Sequence, residues 1–211
     1  MTDNQRTGIS VSGTGEVTGM PDTMTIELGV SVRRNTVQEA TTEASGAAAK
    51  LIASLTGAGV DEDSITTTRY SINPEYDYRN DTQVLLGYRV ENSVRATITD
   101  IAGGGEIIDS AADVVGDTVR VNGISFGIKD DKTLIEAARE AAWNDARAKA
   151  EQLAGLAGRK LGPVTSVSET VGRPPAPMQV ARLQAADSST PLQPGSAAVS
   201  VSLQVDFSFQ G

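Results

Sequence analysis

The chain has no cysteine and no histidine among its 211 residues, and each absence narrows its chemistry. Without cysteine there is no disulfide, no thiol nucleophile and no thiolate metal site. Without histidine the commonest general base and the commonest transition-metal ligand are both missing. Aromatic residues are scarce too, at 4%: Trp143, four tyrosines and three phenylalanines. The core must therefore be built mainly from Val, Ile, Leu and Ala, a light core to which docking with other copies would add burial. Basic residues are outnumbered, 18 Lys and Arg against 27 Asp and Glu, for a net charge of −9. Phosphate backbones need a basic face, so nucleic acid is not expected as a partner. No apolar run approaches the roughly 20 residues of a membrane span. The opening Met1-Thr2-Asp3-Asn4-Gln5-Arg6-Thr7 lacks signal-peptide features and reads as a polar tether over 1–7.

What is present is period-two alternation. In 24–32, Met24, Ile26, Leu28, Val30 and Val32 alternate with small or polar residues. In 88–98, Tyr88, Val90, Val94, Ala96 and Ile98 alternate with Arg89, Glu91, Ser93, Arg95 and Thr97. Near the C-terminus Val199, Val201, Leu203, Val205, Phe207 and Phe209 do the same. Strands with one buried and one wet face follow, of the kind antiparallel sheets use. Weaker strand patterns occupy 8–18, 64–73, 118–128 and 163–171. Helices are predicted over 36–56, opened by Thr36-x-x-Glu39, and over about 131–157, with Thr133-x-x-Glu136 near its start. The second carries the stripe Ile135, Ala138, Ala142, Ala146, Ala150, Leu153, Ala157, whose alanines would let it lie close to a sheet. A short helix is expected over 105–115. The proline-rich stretch 172–196 reads as an extended loop. The fold class is α+β: mixed, largely antiparallel sheets with about three helices. The chain divides into the tether 1–7 and one domain, 8–211, that contains the loop.

No catalytic, cofactor-binding or metal-binding residue emerges from these patterns. Gly13-Thr14-Gly15 with Gly19 fits neither a dinucleotide nor a Walker spacing, and a turn or bulge is the better reading. Asp61-Glu62-Asp63, Asp130-Asp131 and Glu75 with Asp77 and Asp81 could offer oxygen ligands to Ca²⁺, but none has EF-hand spacing. Carboxylates at turns and helix starts account for them more simply. A serine nucleophile would need a lysine base, and no Ser-x-x-Lys or Gly-x-Ser-x-Gly is present. An enzyme is therefore not expected. The remaining candidate is aromatic. Tyr70, Tyr76, Tyr78 and Tyr88 flank the turn-rich Arg79-Asn80-Asp81-Thr82, so they decorate one long hairpin. Tyrosine joins an apolar body to a polar tip and suits an interface or a ligand contact, although ordinary cross-strand packing would also employ it.

Several blocks, in order, resemble the SIMPL-domain family of bacterial envelope proteins. They are Val11-Ser12-Gly13-Thr14-Gly15 with Pro21-Asp22, then Gly59-Val60 leading through Asp63 and Ile65 to Thr67-Thr68. Next come Pro74, Tyr76, Gly87-Tyr88-Arg89 and Asn92, followed by Gly123-Ile124-Ser125-Phe126. The alanine-rich helix to Gly158, Gly162-Pro163-Val164 and the last alternating strand complete the set. Within the family the chain looks most like an actinobacterial lipoprotein branch, with Pro191-Leu192-Gln193-Pro194-Gly195 before its final strand. The resemblance implies an exported protein, periplasmic or lipid-anchored, with a mixed α/β fold and, for some members, large hollow homo-oligomers. Envelope localisation then assumes an export signal, and for anchoring a lipid-bearing cysteine, that these residues do not carry. No catalytic residues are implied, and the family's role is tied only loosely to stress tolerance and antigenicity. Two functions follow as expectations. One is a non-enzymatic envelope protein that self-assembles. The other is a module that binds a small molecule or envelope glycan through the Tyr70–Tyr88 region.

Overall fold

The computed structural model describes residues 8–79, 82–172 and 190–210. The tether expected over 1–7, the predicted turn at Asn80 and Asp81 and most of the loop predicted over 172–196 lie outside the described residues. In order come β1 (Gly8–Gly19), β2 (Thr23–Arg34), α1 (Val37–Gly57), β3 (Ile65–Arg79), β4 (Thr82–Ile98), α2 (Gly104–Val115), β5 (Val119–Gly127), α3 (Lys132–Leu156), β6 (Leu161–Gly172) and β7 (Ala197–Phe209). The fold is α+β, with two sheets in strand orders β1-β7-β6 and β3-β4-β2-β5, every pairing antiparallel. Two compact units contain them. Among the described residues one holds 8–20, 128–172 and 195–210, and the other holds 21–127 and 190–194.

In the first unit α3 lies on the three-stranded sheet. Its buried face is Ala138, Ala142, Ala146, Ala150 and Ala154, an uninterrupted i, i+4 series, while Leu153 of the predicted stripe is exposed. Thr133 lies inside the helix and caps nothing; the N-cap is Asp131. The partners of the alanines are Val11, Val201, Leu203, Val205 and Phe207. Gly13 and Gly15 are neither turn nor bulge, because β1 pairs with β7 in unbroken register from Gly8↔Ser208 to Gly19↔Ala197. They lie directly under the helix. A Cβ at Gly13 would strike the Ala142 carbonyl oxygen, and one at Gly15 the Ala138 carbonyl oxygen. Glycine in a strand here serves close backbone approach.

In the second unit β2 is central. Met24, Ile26, Leu28, Val30 and Val32 are buried between the strands and the helices, beside Val90, Val94, Ala96 and Ile98 of β4. Covering them are Ala40, Ala44, Ala48, Leu51 and Leu55 of α1 and Ile107, Ile108 and Ala111 of α2. The capping box of α1 is complete: Glu39 N–H donates to Thr36 Oγ1 and Thr36 N–H to Glu39 Oε2, each at 3.3 Å. A cap of this kind stabilises a helix by about 1 kcal/mol. Gly59, just beyond the helix, has φ +87° and reverses the chain toward β3.

Candidate functional site

β4 pairs with β2 only as far as Tyr88↔Arg34, whereas its pairing with β3 continues through Glu75↔Gly87 to Arg79↔Thr82. Residues 75–79 and 82–87 therefore form a two-stranded arm that extends past the third strand. A lone two-stranded ribbon is marginal in water. Alternation along β3 puts Tyr70, Ile72, Pro74, Tyr76 and Tyr78 on one face. Their partners Asn92, Val90, Tyr88, Leu85 and Gln83 share it. This is the face that α1 covers over β2 and β4, carried outward onto the arm. There the apolar surface is open: Tyr76 is 50% exposed, Tyr78 74% and Tyr70 51%, with Ile72 and Leu85 beside them. Tyr88, at the root, is half-buried. All four predicted tyrosines thus meet on one side of one hairpin. The arm bends at an extra β4 residue, Leu86, between Gly87↔Glu75 and Leu85↔Tyr76. Gly87 has φ +135°, and a Cβ there would strike the Arg34 carbonyl oxygen.

The opposite face of the same sheet is charged. At the root of the arm Arg89 donates from Nε to Glu75 Oε1 at 2.8 Å and from NH1 to Ser31 Oγ at 2.9 Å. Arg33 adds a longer contact to Glu75 at 3.4 Å. The Arg89 hydrogen bonds, partly opposed by desolvation, hold the Glu75 carboxyl below its ordinary 4.5. Further along this face Glu27 accepts from Thr68 Oγ1 at 2.9 Å and lies 3.6 Å from Arg95. Arg69 and Arg120 stand at the two ends of one cross-strand row, Arg69–Ser93–Gly29–Arg120, beside a shallow groove of about 500 Å³. Sequence reasoning missed this arginine face. Arg89 and Arg95 occupy wet positions of a clean strand, but the partners across the sheet depend on register.

The acidic clusters are taken up locally. Asp61 Oδ1 accepts from Asp63 N–H at a 3-10 turn, and Asp130 Oδ1 accepts from Lys132 N–H at the start of α3. Glu75 belongs to the arginine pair and Asp77 accepts from Tyr78 N–H. Asp81 lies outside the described residues. Among the described residues no group of three or more acidic side chains is placed to hold a metal ion, and no helix is long and apolar enough to cross a membrane.

The SIMPL family (Protein of unknown function, DUF541) matches residues 9–207. The chain is 33% identical to the 26 kDa periplasmic immunogenic protein of Brucella melitensis biotype 1, over 94% of this chain and 83% of that protein. It is 30% identical to Uncharacterized protein YggE of Escherichia coli K12, over 96% of this chain and 82% of that one. An Edwardsiella ictaluri YggE is 28% identical over 75% of this chain and 66% of its own length.

Proposed function

The chain belongs to the SIMPL family, and from that premise we propose that it is a non-enzymatic envelope protein that assembles with copies of itself through the β3–β4 arm. The observation that carries this reading is the tyrosine face of the arm, where Tyr76 and Tyr78 are half or more exposed on a ribbon that no third strand of the described residues joins. Tyrosine and aliphatic side chains clustered at one exposed place fit the composition of protein interfaces. The periplasm is the compartment named for the Brucella relative and supports the same location here. Placement in an actinobacterial lipoprotein branch, a lipid anchor on the precursor, and a part in envelope stress tolerance belong to the reading through the resemblance alone. A non-enzymatic role is supported by the missing His and Cys, and by the carboxylates already engaged at turns and with arginine.

The alternative, a small molecule or glycan held by Tyr70–Tyr88, would call for a cleft with tyrosine walls. Three open grooves at the described residues have none of the four tyrosines in their walls. Sedimentation velocity at micromolar concentration tests the assembly. The parent chain should sediment as an oligomer, and the Tyr76→Ser/Tyr78→Ser double variant should shift toward monomer with an unchanged circular dichroism spectrum. A strictly monomeric parent overturns assembly. An oligomer indifferent to both substitutions removes the arm from it.

A further inference from the structure

On the open face of the four-stranded sheet, one row combines features that the others lack. Its centre is Gly29, flanked by Ser93 on β4, with Arg69 on the edge strand β3 and Arg120 on the edge strand β5. Because Gly29 has no side chain, the sheet dips there. A Cβ at Gly29 would sit 2.7 Å from Ser93 Oγ. The floor offers hydrogen-bond donors. Ser93 is 5% exposed, and its hydroxyl accepts from Asn122 Nδ2 at 3.0 Å, leaving its own proton to give. Ser31, on the next row, is 7% exposed and is placed the same way by Arg89.

The arginines of this face divide by partner. Arg89 and Arg33 take Glu75, and Arg95 takes Glu27. Among the described residues Arg120 is engaged only by the backbone carbonyls of Asp117 and Val119. Among the described residues no hydrogen bond or ion pair engages Arg69. The two guanidinium groups of this face with no carboxylate partner among the described residues are thus the two that bracket the dip. Three strand spacings put their backbones about 14 Å apart, a span that two long side chains can close from opposite sides. We propose that this dip binds a single anionic oxo group, a carboxylate or a phosphate, clasped between Arg69 and Arg120 over the hydroxyl of Ser93. Guanidinium forks suit such oxygens, and a concave donor-lined floor suits a group that only accepts. Two carboxylates also line the groove. Glu27 pairs with Arg95 at 3.6 Å and accepts from Thr68, whereas Glu91 has no partner among the described residues and disfavours a second negative charge.

No tyrosine of the arm takes part, so this site stands or falls apart from assembly. The test is an NMR titration of the full chain with inorganic phosphate and, separately, with acetate. Saturable shifts should centre on the amides of Gly29, Ser93 and Asn122. Response to both probes assigns an oxo-anion site in general, and response to one alone assigns that class. Arg69→Gln/Arg120→Gln should weaken binding about tenfold or more, as loss of charge-assisted hydrogen bonds does. Glu91→Gln should tighten it, and Arg147→Gln, whose guanidinium pairs with Glu151 on α3 and lines no part of the groove, should leave it within about twofold. Unsaturable shifts spread over the whole surface, or a double variant that binds like the parent, overturn the site. If the double variant does not fold, Glu91→Gln decides: unchanged affinity rejects the site.

Discussion

The outer edge of β1 and the β3–β4 arm face the same hazard, exposed strand surface that another chain could extend, and the protein treats them oppositely. Along β1 the edge is closed from within. Thr14 N–H donates to Asp145 Oδ2 at 2.9 Å, and Lys149 Nζ donates to the Ser12 carbonyl at 3.0 Å. The two side chains sit one turn apart on α3 and pair with each other at 2.6 Å, so together they stand in for a neighbouring strand. On the far strand of the same sheet Arg139 forks Glu169 of β6 at 2.7 and 2.9 Å. One helix therefore grips both outer strands. The arm has a tyrosine face where α3 offers alanine, and that face is open. The β1 edge is closed where Gly13 and Gly15 let the alanine face of α3 come down onto the strand, which brings Asp145 and Lys149 within reach of its backbone. In the proposed assembly the cover over Tyr76 and Tyr78 comes from a second copy of the chain.

The largest expected effect comes from lifting α3 off β1. Gly13→Val would drive a branched side chain into the Ala142 carbonyl oxygen and the Ala146 methyl group. Overpacking against backbone cannot be relieved by a rotamer change. A loss of about 3 kcal/mol is expected in urea unfolding, with the loss localised by hydrogen exchange to the α3-covered sheet. If Gly13→Val unfolds like the parent, the close approach is not what holds the helix in place.

Next in size is Gly87→Ala, which attacks the arm and not the sheet. With φ +135° at this position, a methyl group meets both an unfavourable backbone region and the Arg34 carbonyl oxygen. About 1 to 3 kcal/mol of strain is expected. The arm can escape it by straightening or fraying, because no third strand of the described residues pairs with it. Hydrogen exchange should therefore quicken in 75–87 while amides of β2 keep their protection. Equal loss of protection in both would mean that the arm and the sheet open as one.

Much of this architecture is legible in the sequence. The alternation of 24–32, 88–98 and 199–209 falls on strands β2, β4 and β7, and the alanine series of α3 announces a close sheet contact. The arm is harder to read because Pro74 and the bulge at Leu86 interrupt its period, so only its tyrosines signal a hairpin. The arginine row is illegible for a sharper reason. Arg69 follows the extra residue Thr68, and Arg120 reaches Gly29 only past the bulge at Asn122. Each bulge shifts side chains across the pleat, and no period count anticipates a shift. Nor does a linear reading foresee that the last strand, β7, pairs with the first, which binds both chain ends into one unit.

The smallest effect sharpens the comparison most directly, because it removes only the edge cover of β1. The Lys149 hydrogen bond, followed by that from Thr14 N–H, holds the Asp145 carboxyl below its ordinary 3.8. A depressed folded-state pKa means that the unfolded chain binds the proton more readily. The contribution of this carboxylate to stability is thus complete above 3.8 and fades as pH falls through the lower folded value. Asp145→Asn can still accept from Thr14 but gives Lys149 no charge. It should lower the urea midpoint slightly near neutral pH, and its gap from the parent should close below 3.8. Glu75 and Glu169, lowered by Arg89 and Arg139, also lose their contributions on the acid side, so the parent's acid limb should become shallower in the variant without disappearing. A gap that persists unchanged into acid would show that the cap acts through shape alone, and that the charge of Asp145 does nothing to close the edge.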